Sequence, residues 1–211
     1  MIGCVSSRGP AHEMVNPLEA LLAPPAWPAS ATDDAPTLDT EMLARAIHTR
    51  VNEVRVTHGL APLAWADRLA EVALAHSRDM AGHPFFGHTN PRGQEPGDRA
   101  RKAGLAGQVQ VGPYVIEGIG ENLFLTHHYA AYHIFEQADG PRTFVFDWKT
   151  PDEIAQEAVM LWMQSPTHRA NLLSSFYQAA AVGVVHSANE TLFITQNFTC
   201  QAAGSLASSL Q

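Results

Sequence analysis

Cysteine is scarce in this chain. Its 211 residues include two, Cys4 and Cys200, one near each terminus. That excludes a small scaffold stapled by several disulfides. A bond between the two would close nearly the whole chain, and two thiols do not decide the redox compartment. Basic residues are also few: 13 Lys and Arg against 21 Asp and Glu give a formal net charge of −8. This argues against nucleic acid or an anionic membrane surface as the main partner, since both want clustered cationic side chains. No apolar run approaches the roughly 18 residues of a membrane span, so no transmembrane segment is expected. Met1 to Cys4 carries neither a basic nor an apolar leader region, so no signal peptide is visible. Ile2-Gly3-Cys4 matches the tail of a bacterial lipoprotein cleavage site, where Cys4 would carry a lipid anchor. It matches equally an arbitrary start with a chance cysteine.

What is present is a globular composition. Hydrophobic residues make up 45% and charged residues 16%, and the length suits one domain with a substantial core plus some tail. The 11 histidines are many for this length. They point to metal binding or titration near neutral pH, or simply to a surface rich in imidazole.

Residues 1–38 read as a Pro/Ala-rich linker or leader remnant, with a short helical turn at 16–22. Order begins at Asp39 or Thr40, either of which can N-cap a helix carrying Glu41 in its first turn. Leu43, Ile47, Val51 and Val54 then make one apolar stripe, closed by Gly59 at an αL C-cap. A second helix is expected over 67–81, with Leu69, Ala73, His76 and Met80 on one face. Residues 83–97 read as a loop, 98–103 as a short helix stopped by Gly104, and 105–120 as a short strand and a loop. Residues 124–149 carry His127, His128, Tyr129, Tyr132, His133, Phe135, Phe144, Phe146 and Trp148. They read as an inserted His/aromatic loop with one helical turn. Thr150-Pro151-Asp152-Glu153 is a capping box with Pro at the first helical position. Ile154, Ala158, Leu161 and Trp162 give that helix its expected buried face. Two strands, 181–186 and 191–199, form a hairpin turning at Ala188-Asn189-Glu190, and 201–211 is a tail.

The densest signal is Trp162-Met163-Gln164-Ser165-Pro166-Thr167-His168-Arg169-Ala170-Asn171-Leu172-Leu173. One apolar helix ends near Ser165 and another starts at once. Ser165 is the expected N-cap, its hydroxyl accepting a backbone N–H, with Pro166 at the first helical position. His168 then lies in the first turn, where the helix dipole disfavours imidazolium and leaves a neutral imidazole that can accept a proton or bind a metal.

Taken with that stretch, several others in order resemble a known family. They are Val51-Asn52-Glu53-Val54-Arg55, Gly59-Leu60-Ala61-Pro62-Leu63-Ala64-Trp65, Ala75-His76-Ser77-Arg78-Asp79-Met80, Phe86-Gly87-His88-Thr89, Asp98-Arg99, Gly120-Glu121-Asn122-Leu123, Val182-Gly183-Val184 and Thr195-Gln196-Asn197-Phe198. Together they resemble the CAP superfamily (SCP domain), in its bacterial branch. The resemblance implies an α+β fold: a three-layer α-β-α sandwich with a small antiparallel sheet between helices, spanning 39–200. It also implies a central cleft with two histidines and two glutamates. His88, Glu121 and His168 carry over. The position of the second glutamate is Ser165, and Glu157, earlier on the same helix, is not an aligned match. The insertion at 124–149 departs from the bacterial pattern.

Two imidazoles and a carboxylate are the ligand set of a His₂Glu zinc site with an open position, or an acid/base pair oriented by a carboxylate. The plainer reading is a hydrogen-bond network that locks loops to helices. His76 reads as a core histidine bonded to backbone, Asn122 and Asn171 as satisfying loop backbone, and Trp65 and Trp162 as core. Thr195 and Gln196 line the sheet beside the cleft, as they do in the family. The aromatic insertion either walls a pocket or covers exposed core. The function the resemblance implies is an exported binding module, secreted or in the cell envelope. Its ligand would be a divalent metal such as zinc, or a small hydrophobic sterol or lipid, in or beside the cleft of His88, Glu121, His168, Asn122, Ser165 and Gln196. Two alternatives stand: a zinc-dependent hydrolase with His88, His168 and Glu121 as ligands and water as nucleophile, and a structural or adhesion domain anchored at Cys4.

Overall fold

The computed structural model describes residues 29–201, apart from 33, 106, 107, 112, 137–139 and 141. The expected turn at 16–22, Cys4 and most of the tail lie outside the described residues. Within the stretch read as linker, Ala29–Thr32 forms a single 3-10 turn.

Helix α1, Thr40–Thr57, starts where the carboxylate of Asp39 accepts the backbone N–H of Glu41 and Met42 at 3.0 and 2.9 Å. Leu43, Ile47 and Val51 are fully buried and Val54 packs half-buried against the same core, but the stripe does not end there. Arg55 takes the buried position, donating to the carbonyls of Ala61, Leu172 and Ser174 at 3.0, 2.7 and 2.8 Å. It ties the first helix to the end of the last. Gly59 has φ +73°, the left-handed conformation a C-terminal glycine supplies without strain.

Helix α2, Asp67–Gly82, buries Leu69, Val72, Ala73, His76 and Met80. Helix α3, Pro96–Lys102, opens on a capping box between Glu95 and Asp98. Helix α4, Pro151–Gln164, opens on the Thr150/Glu153 box. Its buried face is Ile154, Ala155, Ala158, Val159 and Trp162, while Leu161 is 39% exposed. The core stripe runs through 154, 158 and 162 with 155 and 159 on one flank; Leu161 falls on the other flank, toward solvent. Helix α5, Pro166–Leu172, follows at once. Ser165 holds the N-cap position in extended backbone, but its hydroxyl makes no capping bond; it faces the Thr167 hydroxyl at 3.3 Å. The same residue closes α4, its N–H bonding Leu161 and Trp162 carbonyls, so two helix ends share one cap and its side chain serves neither.

The central sheet has four strands: β1, Ala64–Trp65; β4, Ile119–His127; β7, Ala179–His186; and β8, Thr191–Thr199. They lie in the order β1-β7-β8-β4. The sheet is antiparallel except for short β1, which pairs in parallel with β7. The fold is therefore α+β with a mixed rather than wholly antiparallel sheet. The predicted hairpin is β7–β8, its turn holding Glu190 at φ +61°. Strands β2, Gln108–Val111, and β3, Tyr114–Glu117, form a separate pair where one strand and a loop were expected.

The insertion is not a loop. Strand β4 continues to His127, and β5, Tyr129–Phe135, and β6, Thr143–Trp148, form an antiparallel ribbon. Its rings pack on one another, Phe146 stacked on Trp148 at 4.9 Å and Tyr129 edge-on to Phe146 at 5.4 Å. Aromatic and β-branched residues favour strands through such cross-strand packing, a signal that crowded rings in the sequence hid.

Alternation along the strands makes the layers. Ala180, Val182, Val184, Ile194 and Phe198 face α1 and α4 in the main core. Ala179, Ala181 and Ile119 face α2 and α3. At Gly183 the α2 backbone lies so close that an added Cβ would sit 2.1 Å from the Leu74 nitrogen. Helix and sheet touch backbone to backbone there, and only glycine fits. Along the outer edge of β4, Trp162 Nε1 donates to the Leu123 carbonyl at 2.9 Å and Asn171 Nδ2 to that of Glu121 at 3.2 Å.

Candidate functional site

Glu121 lies on β4, facing α2 and α3, with its side chain 1% exposed. Its carboxylate contacts three side chains. Oε2 accepts from Arg99 Nη2 at 2.6 Å and Asn197 Nδ2 at 2.9 Å. Oε1 lies 2.9 Å from His88 Nδ1. Strand register explains Asn197, which pairs directly with Glu121 across β4 and β8. The α3 capping box aims Arg99, whose other nitrogen donates to the carbonyls of His88 and Gln94, both at 2.7 Å. Asn90 folds the loop between them, accepting the N–H groups of Arg92 and Gln94 at 3.0 Å each. One guanidinium thus fixes the buried carboxylate and the loop that carries His88.

His88 leaves 48% of its side chain open to solvent. The bond to Glu121 raises its pKa above the usual imidazole value, against the opposing pull of burial. Burial pulls the Glu121 carboxyl upward, but the His88 bond and the Arg99 charge outweigh it and hold it below its ordinary range. His168, half-buried on α5, is shifted downward, first by burial and then by the His88 charge. It favours the neutral form the sequence suggested, for reasons other than the helix dipole.

The remaining expected residues fall into two groups. Asn122 and Asn171 stitch β4 to α5: Asn122 Nδ2 donates to the His168 carbonyl at 3.2 Å, and Asn171 Nδ2 to Asn122 Oδ1 at 2.9 Å. Gln196 is fully buried opposite Asn122, its amide atoms making no hydrogen bond among the described residues. Thr195 faces the other side, accepting from Ser77 at 2.9 Å. His76 is wholly buried, with Nε2 3.0 Å from the Gly87 carbonyl and 3.8 Å from Glu121; burial lowers its pKa. Glu157 lies elsewhere, paired with Lys149 at 2.8 Å. Trp162 is core, while Trp65 is half-buried beneath the Arg45 guanidinium. Arg99 and Asn197 were not singled out from the sequence; Asp98-Arg99 beside a capping box was the available signal.

A zinc ion held by His88, His168 and Glu121 would have to share a carboxylate whose oxygens already serve Arg99, Asn197 and His88. Two imidazoles remain for a ligand. Among the described residues, the three side chains whose ligand atoms all lie within 4.8 Å of one another are His128, His186 and Glu190.

Comparison with known proteins agrees with the fold. The model of the cysteine-rich secretory protein family, CAP, matches residues 48–201. The chain belongs to this family. It is 31% identical over 147 residues to the uncharacterized membrane protein YlbC of Bacillus subtilis, covering 70% of this chain and 31% of the relative. An extracellular SCP-domain protein of Bacillus anthracis superposes with a TM-score of 0.54 at 26% identity, covering 78% of this chain and 45% of that one. An outer surface protein of Borrelia burgdorferi shares the fold, with a TM-score of 0.54 at 15% identity over 77% of this chain and 95% of that one. The chain thus spans about a third of the curated relative it matches. None of the described helices is long and apolar enough to cross a membrane.

Proposed function

We propose that this CAP domain is an exported binding module whose ligand meets the imidazoles of His88 and His168, with Glu121 as the buried carboxylate that orients His88. The observation that carries the reading is the 2.9 Å contact of His88 Nδ1 with an anchored Glu121. A carboxylate behind one ring nitrogen fixes the tautomer and leaves Nε2 to meet a ligand, the arrangement that metal-binding histidines use. A divalent metal is therefore the first ligand class. A sterol or lipid is the second, favoured by the β5–β6 ribbon, which exposes Tyr132, Ile134, Phe135 and Val145. Zinc-dependent hydrolysis is less well supported, since the second glutamate position is Ser165 and the Glu121 carboxylate already serves Arg99, Asn197 and His88. Export is supported by the extracellular and outer-surface descriptions of the structural neighbours.

Long-range ¹H–¹⁵N spectra of the imidazoles test this directly, with zinc and then a fatty-acid or sterol probe added to the full chain. The reading expects the His88 and His168 resonances to move together, and the movement to vanish in His88→Ala and His168→Ala. Resonances that stay put with every probe overturn it.

A further inference from the structure

We propose that His128, His186 and Glu190 form a binding site for a borderline divalent transition metal of the zinc class, separate from the His88 cleft. The three come from two places that the sheet brings together. His128 is the link between β4 and the inserted ribbon, while His186 ends β7 and Glu190 closes the β7–β8 turn.

Backbone geometry holds the group in place. The His128 N–H donates to the Glu190 carbonyl at 2.8 Å, and the Lys149 N–H to the His128 carbonyl at 2.9 Å. Glu190 is the one described non-glycine residue at positive φ, +61°. A left-handed glutamate is sparsely populated without local compensation, and here the bend returns the carboxylate toward both histidines.

The donors suit a dication. Glu190 Oε2 lies 2.6 Å from His186 Nε2 and 3.4 Å from His128 Nδ1. Ligands held about 2.0–2.1 Å from a tetrahedral zinc stand roughly 3.3 Å from one another. The His128 separation already matches, and the His186 pair has to open by roughly 0.7 Å as the ion replaces the shared proton. His128 supplies the second, independent pointer. The residue is 1% exposed and its Nδ1 has no hydrogen-bond partner among the described residues. A buried nitrogen whose one polar contact is a carboxylate oxygen at 3.4 Å is poorly satisfied. A metal ion between them satisfies it. Lys149, whose charge reaches His128, is paired with Glu157 at 2.8 Å. Trp148 covers the outer side of the His128 ring at 5.2 Å.

Two imidazoles and one carboxylate leave a fourth position for water or for a donor brought by a partner. The ion would pin the base of the ribbon to the β7–β8 turn, so the ribbon would be held at both its backbone and its side-chain level.

The test is metal binding by the full chain after chelator stripping, with cobalt(II) read by its visible ligand-field bands and zinc by calorimetry. The expected result is one ion per chain at this site, counted in His88→Ala/His168→Ala so that ions in the cleft do not contribute, with tetrahedral cobalt bands. Affinity should fall in His186→Ala and Glu190→Gln by more than the roughly 10–100-fold that loss of even an outer-shell partner costs. Both positions are less deeply placed than His128, and near-UV dichroism of the aromatic ribbon checks that the variants remain folded. His88→Ala/His168→Ala should leave this binding intact, which separates this site from the cleft. Absence of bound ion, or affinity unchanged in His186→Ala and Glu190→Gln, overturns the proposal. So does binding that disappears only in the cleft variant.

Discussion

Replacing Arg99 by methionine tests whether one guanidinium holds the cleft together. Arg99 and Glu121 have side chains 7% and 1% exposed and meet at 2.6 Å. Removing one partner of a buried pair typically costs about 3–5 kcal/mol, because the other charge is left uncompensated. Glu121 retains Asn197 and His88, which places the expected loss toward the lower end, while the freed carbonyls of His88 and Gln94 add to it. For a domain of this size, 3–5 kcal/mol lowers the melting temperature by roughly 6–20 °C. Urea unfolding of Arg99→Met, Glu121→Gln and the double variant measures the coupling, and the double should cost clearly less than the sum of the singles. The pH dependence has a defined sign. The folded Glu121 pKa is depressed, so its stabilisation is present above the unfolded carboxyl value and is lost as pH falls through the folded one. The penalty of Arg99→Met must therefore shrink on acidification, as the abandoned carboxyl takes up a proton. Additive singles, or a penalty that does not change with pH, would refute the role assigned to this pair.

Further outcomes are expected. Gly183→Ala should cost at or above the upper end of the usual overpacking range of about 1–3 kcal/mol, since its Cβ meets helix backbone rather than a yielding side chain; denaturant midpoints measure it. In NMR titrations His88 should lose its proton above the ordinary imidazole value and His168 below it, and Glu121→Gln should bring His88 down. The stabilisation tied to His88 is present below its unfolded pKa and fades as pH rises through the folded one. Arg55→Met should loosen the end of α5 by leaving the Leu172 and Ser174 carbonyls without their donor, about 1–3 kcal/mol by chemical unfolding.

Much of the fold was legible because local chemistry wrote it. Asp39, Gly59, the Thr150/Glu153 box and the period of Leu43, Ile47 and Val51 all state helix boundaries or faces in a few residues. The pairing of His88 with Glu121 followed from resemblance, since no spacing rule joins residues so far apart. What was lost depended on tertiary contact. Arg55 and Arg99 stood in matched stretches without a role, because each satisfies several carbonyls or a buried carboxylate that no local pattern reveals. The ribbon was read as a loop because β5 is exposed along nearly its whole length, and only β6 alternates, with Phe144, Phe146 and Trp148 half-buried. Glu190 gave no signal at all, since a left-handed glutamate looks like any other acid in a turn.

The side chains of Trp162 and Asn171 on the border of β4 have a consequence for how copies of this protein meet. A strand at the margin of a sheet is ordinarily a template on which a second chain can add itself. Here the carbonyls of Leu123 and Glu121 are already occupied by an indole and an amide. The two helices that carry that indole and amide thus occupy acceptors an added strand would need at this margin.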